Sequence, residues 1–212
     1  MLSSIANARS LIWGAEMQVK KDYIRDSILK AALDEFSSKG YSTATMSSVA
    51  DRCGISKSNL YRYFSSKDEI CHELLRMPSM EIGKTLNILT GTELLVYSND
   101  EIAKKMTELI FPIIRKYKKE IKIIMSPKAP PEGIILKKTV EERLLECFLN
   151  LDPERTPDGF ASTLVKMLMS GIGSILSSDN PDENIKEQIE SMLRYHTRGV
   201  LAFSLLRKEQ GV

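Results

Sequence analysis

The sequence predicts an all-α protein, and three observations carry that expectation. Aromatic residues make up only 7% of the chain while Leu, Ile, Ala, Met, Lys and Glu dominate, a mix that favours helix over sheet. Apolar residues recur at three- and four-residue spacing along most of the chain, with no strand-like alternation. Helix start and stop signals punctuate that pattern: Ser66-Lys67-Asp68-Glu69 and Ser98-Asn99-Asp100-Glu101 read as capping boxes, and Gly40 and Gly54 stand where helices need a left-handed stop. At 212 residues, 42% of them hydrophobic, the chain can bury a core without disulfides or metal.

Residues 1–19 read as an amino-terminal extension, because MLSSIANARSLIWGAE lacks the long apolar region and cleavage site of a signal peptide. From Lys20 to Ser38, Ile24, Ile28, Ala31, Ala32 and Phe36 mark the first helix. Thr45 caps a second helix with Met46, Val49, Ala50 and Cys53 on one face, and Ser56 caps a third that pins Leu60 and Phe64. Two short helices around a glycine are the sequence form of a helix-turn-helix. A fourth helix starts at Ser66 and is expected to bend or end at Pro78; residues 101–126 form a segment that Pro112 should kink or divide. SPKAPPEG is a loop, a further helix runs from about Ile134 to Leu149, and Thr156 and Asn180 precede the last two.

Composition narrows the function classes. A net charge of +2 argues for no partner by itself. Cys53, Cys71 and Cys147 are odd in number and far apart, which suits buried free thiols in a reducing cytoplasm. With only His72 and His196, no cluster has metal-ligand spacing, no cofactor motif is present, and no nucleophile–base set argues for an enzyme. SGIGS lies inside a helical pattern with no strand before it, so it is no nucleotide loop. Apolar runs read as shorter than the roughly 20 residues that cross a bilayer, so no membrane partner is expected.

The stretch GISKSNLYRYFSSKDE differs from the rest. Between Arg52 and Lys67 no acidic residue occurs, although Arg52, Lys57, Arg62 and Lys67 all fall there. A DNA-reading helix needs apolar residues on one face and short polar or cationic groups on the other. Leu60 and Phe64 supply the first. Lys57, Ser58 and Asn59, in the first turn, suit base edges; Tyr61, Tyr63 and Lys67 suit phosphate oxygens.

The order of residues 28–75 is more specific than their composition. The spaced features A-A-x-x-x-F, K-G-Y-x-x-T-T-like, V-A-x-x-x-G-I-S, L-Y-x-Y-F and K-D-E closely resemble the amino-terminal domain of the TetR family of transcriptional regulators. The resemblance implies that Thr45 and Ser47 contact DNA from the second helix, that Lys57, Ser58, Asn59, Tyr61, Arg62 and Tyr63 line the recognition helix, and that Lys67 clamps a phosphate. It implies a helix-turn-helix domain over residues 20–78 and a helical ligand-binding and dimerisation domain over 79–212. Ser58 stands where the family often has glycine and Ser47 where many members have a longer basic residue, which puts the operator sequence in doubt.

Beyond residue 80 the resemblance is architectural. The expected protein is a homodimeric cytoplasmic repressor on a palindromic double-stranded operator, released by a small apolar inducer; an activating or structural role without inducer is the alternative. Met106, Phe111, Tyr117, Met125, Phe148 and Met167 are the candidate pocket lining. Leu164, Leu168, Gly171 and Ile175, with Ile189, Met192, His196, Val200 and Phe203 on the last helix, are the candidate dimer stripe, with intramolecular core as the other reading of the same residues.

Overall fold

The computed structural model describes the backbone of residues 2–90, 98–151, 158–178 and 181–210, and the side chains of 17–90, 98, 100–150, 159–178 and 181–199. Among them the chain is helical with no strand: α1 (Leu2–Lys39), α2 (Met46–Cys53), α3 (Lys57–Leu60), α4 (Lys67–Leu89), α5 (Asn99–Lys116), α6 (Lys118–Met125), α7 (Pro131–Leu151), α8 (Asp158–Ser177) and α9 (Asp182–Gln210). Thr156, Val200 and Phe203 lie outside the described side chains.

The chain divides into two units, Met1–Leu74 and Leu75–Val212. The division falls inside α4, because Ile70 and Cys71 on its first turns are buried in the first unit while Leu86 and Leu89 join the core of the second. Pro78, where the sequence suggested a bend or an end, lies within α4; a proline removes one backbone bond, and the turns on either side carry the helix past it. Pro112 likewise sits inside α5. The break comes instead at Tyr117, whose side chain is buried and whose hydroxyl donates to Glu81 Oε1 at 2.8 Å, beside Lys116 Nζ at 2.7 Å from the same oxygen. The first helix, α1, begins at Leu2, so the backbone of residues 2–19 continues it. That stretch contains no proline, so nothing in it stops the helix from propagating.

In the first unit α1 packs on α2 and α2 on α3. Ile28, Ala32, Phe36, Val49, Leu60 and Phe64 form its centre, and Phe36 meets Tyr41 edge-to-face at 5.4 Å. Thr45 Oγ1 accepts from Ser48 N–H and Ser48 returns the bond, so α2 starts with a full capping box. The α4 start is built differently from the expected box. Ser66 Oγ accepts from Glu69 N–H at 3.1 Å, but Glu69 reaches past it to Ser65, taking the N–H at 2.6 Å and the hydroxyl at 2.7 Å.

A buried carboxylate ties α1 to α2. Glu35 is 1% exposed and pairs with Lys39 and Arg52, each at 2.8 Å. Lys39 lowers its pKa most, burial opposes, and Arg52 and Ser48 add to the lowering, so the net shift is below the ordinary 4.5. A depressed folded-state pKa stabilises fully above the unfolded value and is lost as pH falls through the folded one. Acid titration of the native chain should therefore weaken the first unit below about pH 4.5, and Glu35→Gln should remove this part of the acid dependence, read from melting curves across that range. An unchanged pH profile in the variant would show that Glu35 does not carry it.

The second unit buries Leu89, Ala103, Met106, Phe148, Leu168 and Ile189 at its centre. Helix α5 packs along α9, and α8 packs between α7 and α9. Contrary to the sequence reading of apolar runs, Gly159–Ser177 is long and apolar enough to cross a membrane. Here that helix serves as core: Ala161, Val165, Leu168 and Leu176 are buried against its neighbours. Burial pushes the Cys147 thiol up to about 11, and Cys53 is also raised, so neither is a thiolate near neutrality.

Candidate nucleic-acid interface and ligand cavity

Local backbone chemistry places α3. Gly54 closes α2 in the left-handed region at φ 72°, its N–H bonding back to Ala50 and Asp51 carbonyls, and Ser56 then caps Asn59 N–H at 3.2 Å. The helix is shorter than its polar pattern suggested. It ends at Leu60, and Tyr61, Arg62 and Tyr63 occupy a tightening turn in which Arg62 N–H reaches Asn59 and Tyr63 N–H reaches Leu60. Leu60 and Phe64 at either end of that turn are buried, so Tyr61 (47% exposed) and Arg62 are driven outward.

Most of the sequence-derived residues lie at the surface. Thr45, Ser47, Lys57, Ser58, Tyr61 and Arg62 are exposed, and Asn59 and Tyr63 are half-buried. Thr45 spends its oxygen on the α2 cap, and Ser58 Oγ lies 3.1 Å from Ser56 Oγ. The four cations from Arg52 to Lys67 separate into two kinds. Arg52 is held by Glu35. Lys67 is turned inward, its ammonium 2.7 Å from the Tyr41 carbonyl and 3.0 Å from that of Ala44, and 4.3 Å over the Tyr41 ring. Tyr41 in turn donates to Asp68. The side chains of Lys57 and Arg62 have no hydrogen-bond or ion-pair partner among the described residues.

In the second unit a cavity of about 120 Å³ lies among α4 to α9, walled by aliphatic side chains such as Ile82, Leu86, Ile114, Val140 and Ile172. Of the expected lining, Met106 and Met125 face it. Phe111, Tyr117 and Phe148 pack in the core around it, and Met167 is 53% exposed on the opposite side of α8. One residue along a helix turns a side chain by about 100°, so Leu168 and Met169 take the lining role instead.

Several residues of the expected dimer stripe take the other reading, intramolecular core. Leu164, Leu168 and Ile189 are buried in the chain's own core, with Ile175 and Met192 packed against it. A Cβ at Gly171 would come within 2.4 Å of Met192 Sδ, so that glycine serves the close approach of α8 to α9 within one chain. His196 is buried, its Nδ1 2.8 Å from the Met192 carbonyl and its Nε2 without a partner. It edges a groove of about 600 Å³ between α8 and α9, where Phe160, Met167 and Tyr195 (70% exposed) meet Ser191 and Gly199.

Residues 28–74, which hold α2, α3 and the start of α4, match the model for bacterial regulatory proteins of the tetR family. These residues are similar to the amino-terminal domain of the tetR family. The chain is 29% identical over 111 residues to the HTH-type transcriptional regulator YerO of Bacillus subtilis, covering 51% of this chain and 37% of YerO. The activator FasR of Mycolicibacterium smegmatis is 43% identical over 53 residues (25% of this chain, 24% of FasR), and the repressor KstR2 of the same organism 36% over 52 (24% and 25%). The chain thus spans between 24% and 37% of the length of these relatives. A TetR-like regulator from Rhodococcus sp. RHA1 superposes with TM-score 0.56 at 18% identity over 80% of this chain and 93% of its own, and PfmR from Thermus thermophilus with 0.55 at 20% over 79% and 97%. Identity that low bears on the fold alone.

Proposed function

We propose that this chain is a homodimeric DNA-binding transcription regulator of the TetR family that reads a palindromic operator with α3 and the turn after it. The observation that carries this reading is the pair of unpartnered cations, Lys57 and Arg62, beside exposed Tyr61 on a surface whose other cations are used internally. Free cations release counterions from DNA; paired ones do not. Ser47, Ser58 and Asn59 supply the short polar groups that reach base edges. Half-sites would lie about one helical turn, roughly 34 to 36 Å, or a multiple apart. Lys67 is read differently from the resemblance: its side chain braces the α1–α2 loop, which leaves the phosphate to other groups.

A repressor released by a ligand in the α4–α9 cavity is the reading favoured here. Activation is the second, because the similar regions belong to an activator in FasR and to a repressor in KstR2. The dimer face is proposed along the α8–α9 groove, where exposed Met167 and Tyr195 alternate with Ser191 and Gly199.

The test is operator binding across a salt series, on fragments the protein itself selects from genomic DNA. Arg62→Gln should lower the salt slope by about one, and Tyr61→Ala should weaken binding by about 1–3 kcal/mol. Lys67→Met should instead lower the melting temperature, since two carbonyls lose their donor, and leave the salt slope unchanged in the folded fraction. If Arg62→Gln and Tyr61→Ala bind with wild-type affinity and slope, the surface is misassigned.

A further inference from the structure

The α4–α9 cavity has an unequal wall. Its lining surface is apolar, and the residues along it that carry a polar group are Thr85 and Lys137, the latter on the face of α7 that also presents Leu136, Val140 and Leu144. Lys137 is half-buried and forms no ion pair among the described residues. Its nearest acidic neighbours on the same helix do not engage it: Glu142 pairs with Lys138, and Glu141, one turn on, forms no ion pair either. A long cationic side chain at the edge of an apolar space lays its methylenes along the wall and keeps its ammonium at the mouth.

We propose that this cavity takes an amphiphile: an apolar body inside, and at the mouth a single anionic head, carboxylate or phosphate, that pairs with Lys137. This rests on the reading of the cavity as the ligand site, and it adds the chemical class. The body follows from size and wall. An engineered apolar cavity of about 150 Å³ holds benzene, so about 120 Å³ encloses a short alkyl chain or a single ring, and a longer body would leave through the mouth. The head follows from charge. A neutral ligand would cover the Lys137 stem and leave the ammonium half-desolvated with no counter-charge, whereas an anion pairs with it. A point charge on a flexible stem does not select head geometry.

The experiment compares one eight-carbon chain with different heads, titrated calorimetrically into the full chain at fixed salt near neutral pH: octanoate, octyl phosphate, octanol and octylammonium. Octanoate and octyl phosphate should bind roughly two- to fivefold tighter than octanol, the worth of an ion pair at a half-exposed site, and octylammonium weakest; their ratio identifies the preferred head. Lys137→Met keeps the stem and should erase that preference while leaving octanol affinity unchanged, and Lys137→Arg should restore it. The proposal is overturned if octanol matches the anions in the native chain, or if Lys137→Met retains the preference. If none of the four binds, or if Val140→Phe, which fills the cavity, leaves their binding unchanged, the cavity reading fails and this inference with it.

Discussion

Phe64→Ala is expected to destabilise the first unit by about 3–5 kcal/mol, enough to unfold most of it. Phe64 is 1% exposed and stands where the turn after α3 returns to the core. Arg25 of α1 lies 5.1 Å over its ring and pairs with Glu73 of α4 at 3.3 Å, so one ring helps hold three elements. A unit of this size keeps little reserve. Loss of its transition in denaturant-monitored circular dichroism, with loss of operator binding, is the expected result. Tyr63→Ala, its half-buried neighbour, is the control: binding should fall while the transition stays within about 1 kcal/mol of wild type. A Phe64→Ala protein that unfolds like the native one would mean that the turn is not anchored by this ring.

The second large effect is expected at the α8–α9 face. Met167→Asp with Tyr195→Asp should raise the dimer dissociation constant by at least about a hundredfold, since each replaces an anchor of the kind worth about 2 kcal/mol or more with a charge that must be buried. Both side chains are exposed in the single chain, at 53% and 70%, so the fold itself should tolerate the change. Sedimentation of the double variant should show monomers at concentrations where the native chain is dimeric, and a palindromic operator should be bound with much lower affinity. If the variant stays dimeric, the subunits associate through another face. Leu168→Asp would be a poor substitute for this test, because it would introduce a charge into the chain's own core.

Much of the local structure was legible in the sequence. Thr45, Ser56 and Ser98 cap the helices they precede, and Gly40 and Gly54 adopt the left-handed conformation expected of them, at φ 86° and 72°. These are contacts within four residues, so adjacent side chains decide them. The α4 start shows the limit: Glu69 reaches Ser65 in place of Ser66, a choice of one residue that the capping pattern does not distinguish. Prolines 78 and 112 do not end their helices for a related reason. The cost of a proline is local, but whether a helix survives it depends on the packing of the turns around it.

What the sequence by itself determined is the helical class, the order and ends of most helices, and an acid-free stretch with a pinned apolar side, because these follow from periodicity and near-neighbour hydrogen bonds. Only the tertiary structure decided how the charges and faces are used. Lys67 braces carbonyls 26 and 23 residues away, Arg52 is held by a glutamate 17 residues away, and Lys57 and Arg62 are what remains. Likewise Leu168 and Met167 are adjacent and both apolar, yet one lines the cavity and the other stands on the surface. Which face of a helix is inside is set by the helices that cover it, and those come from distant parts of the chain.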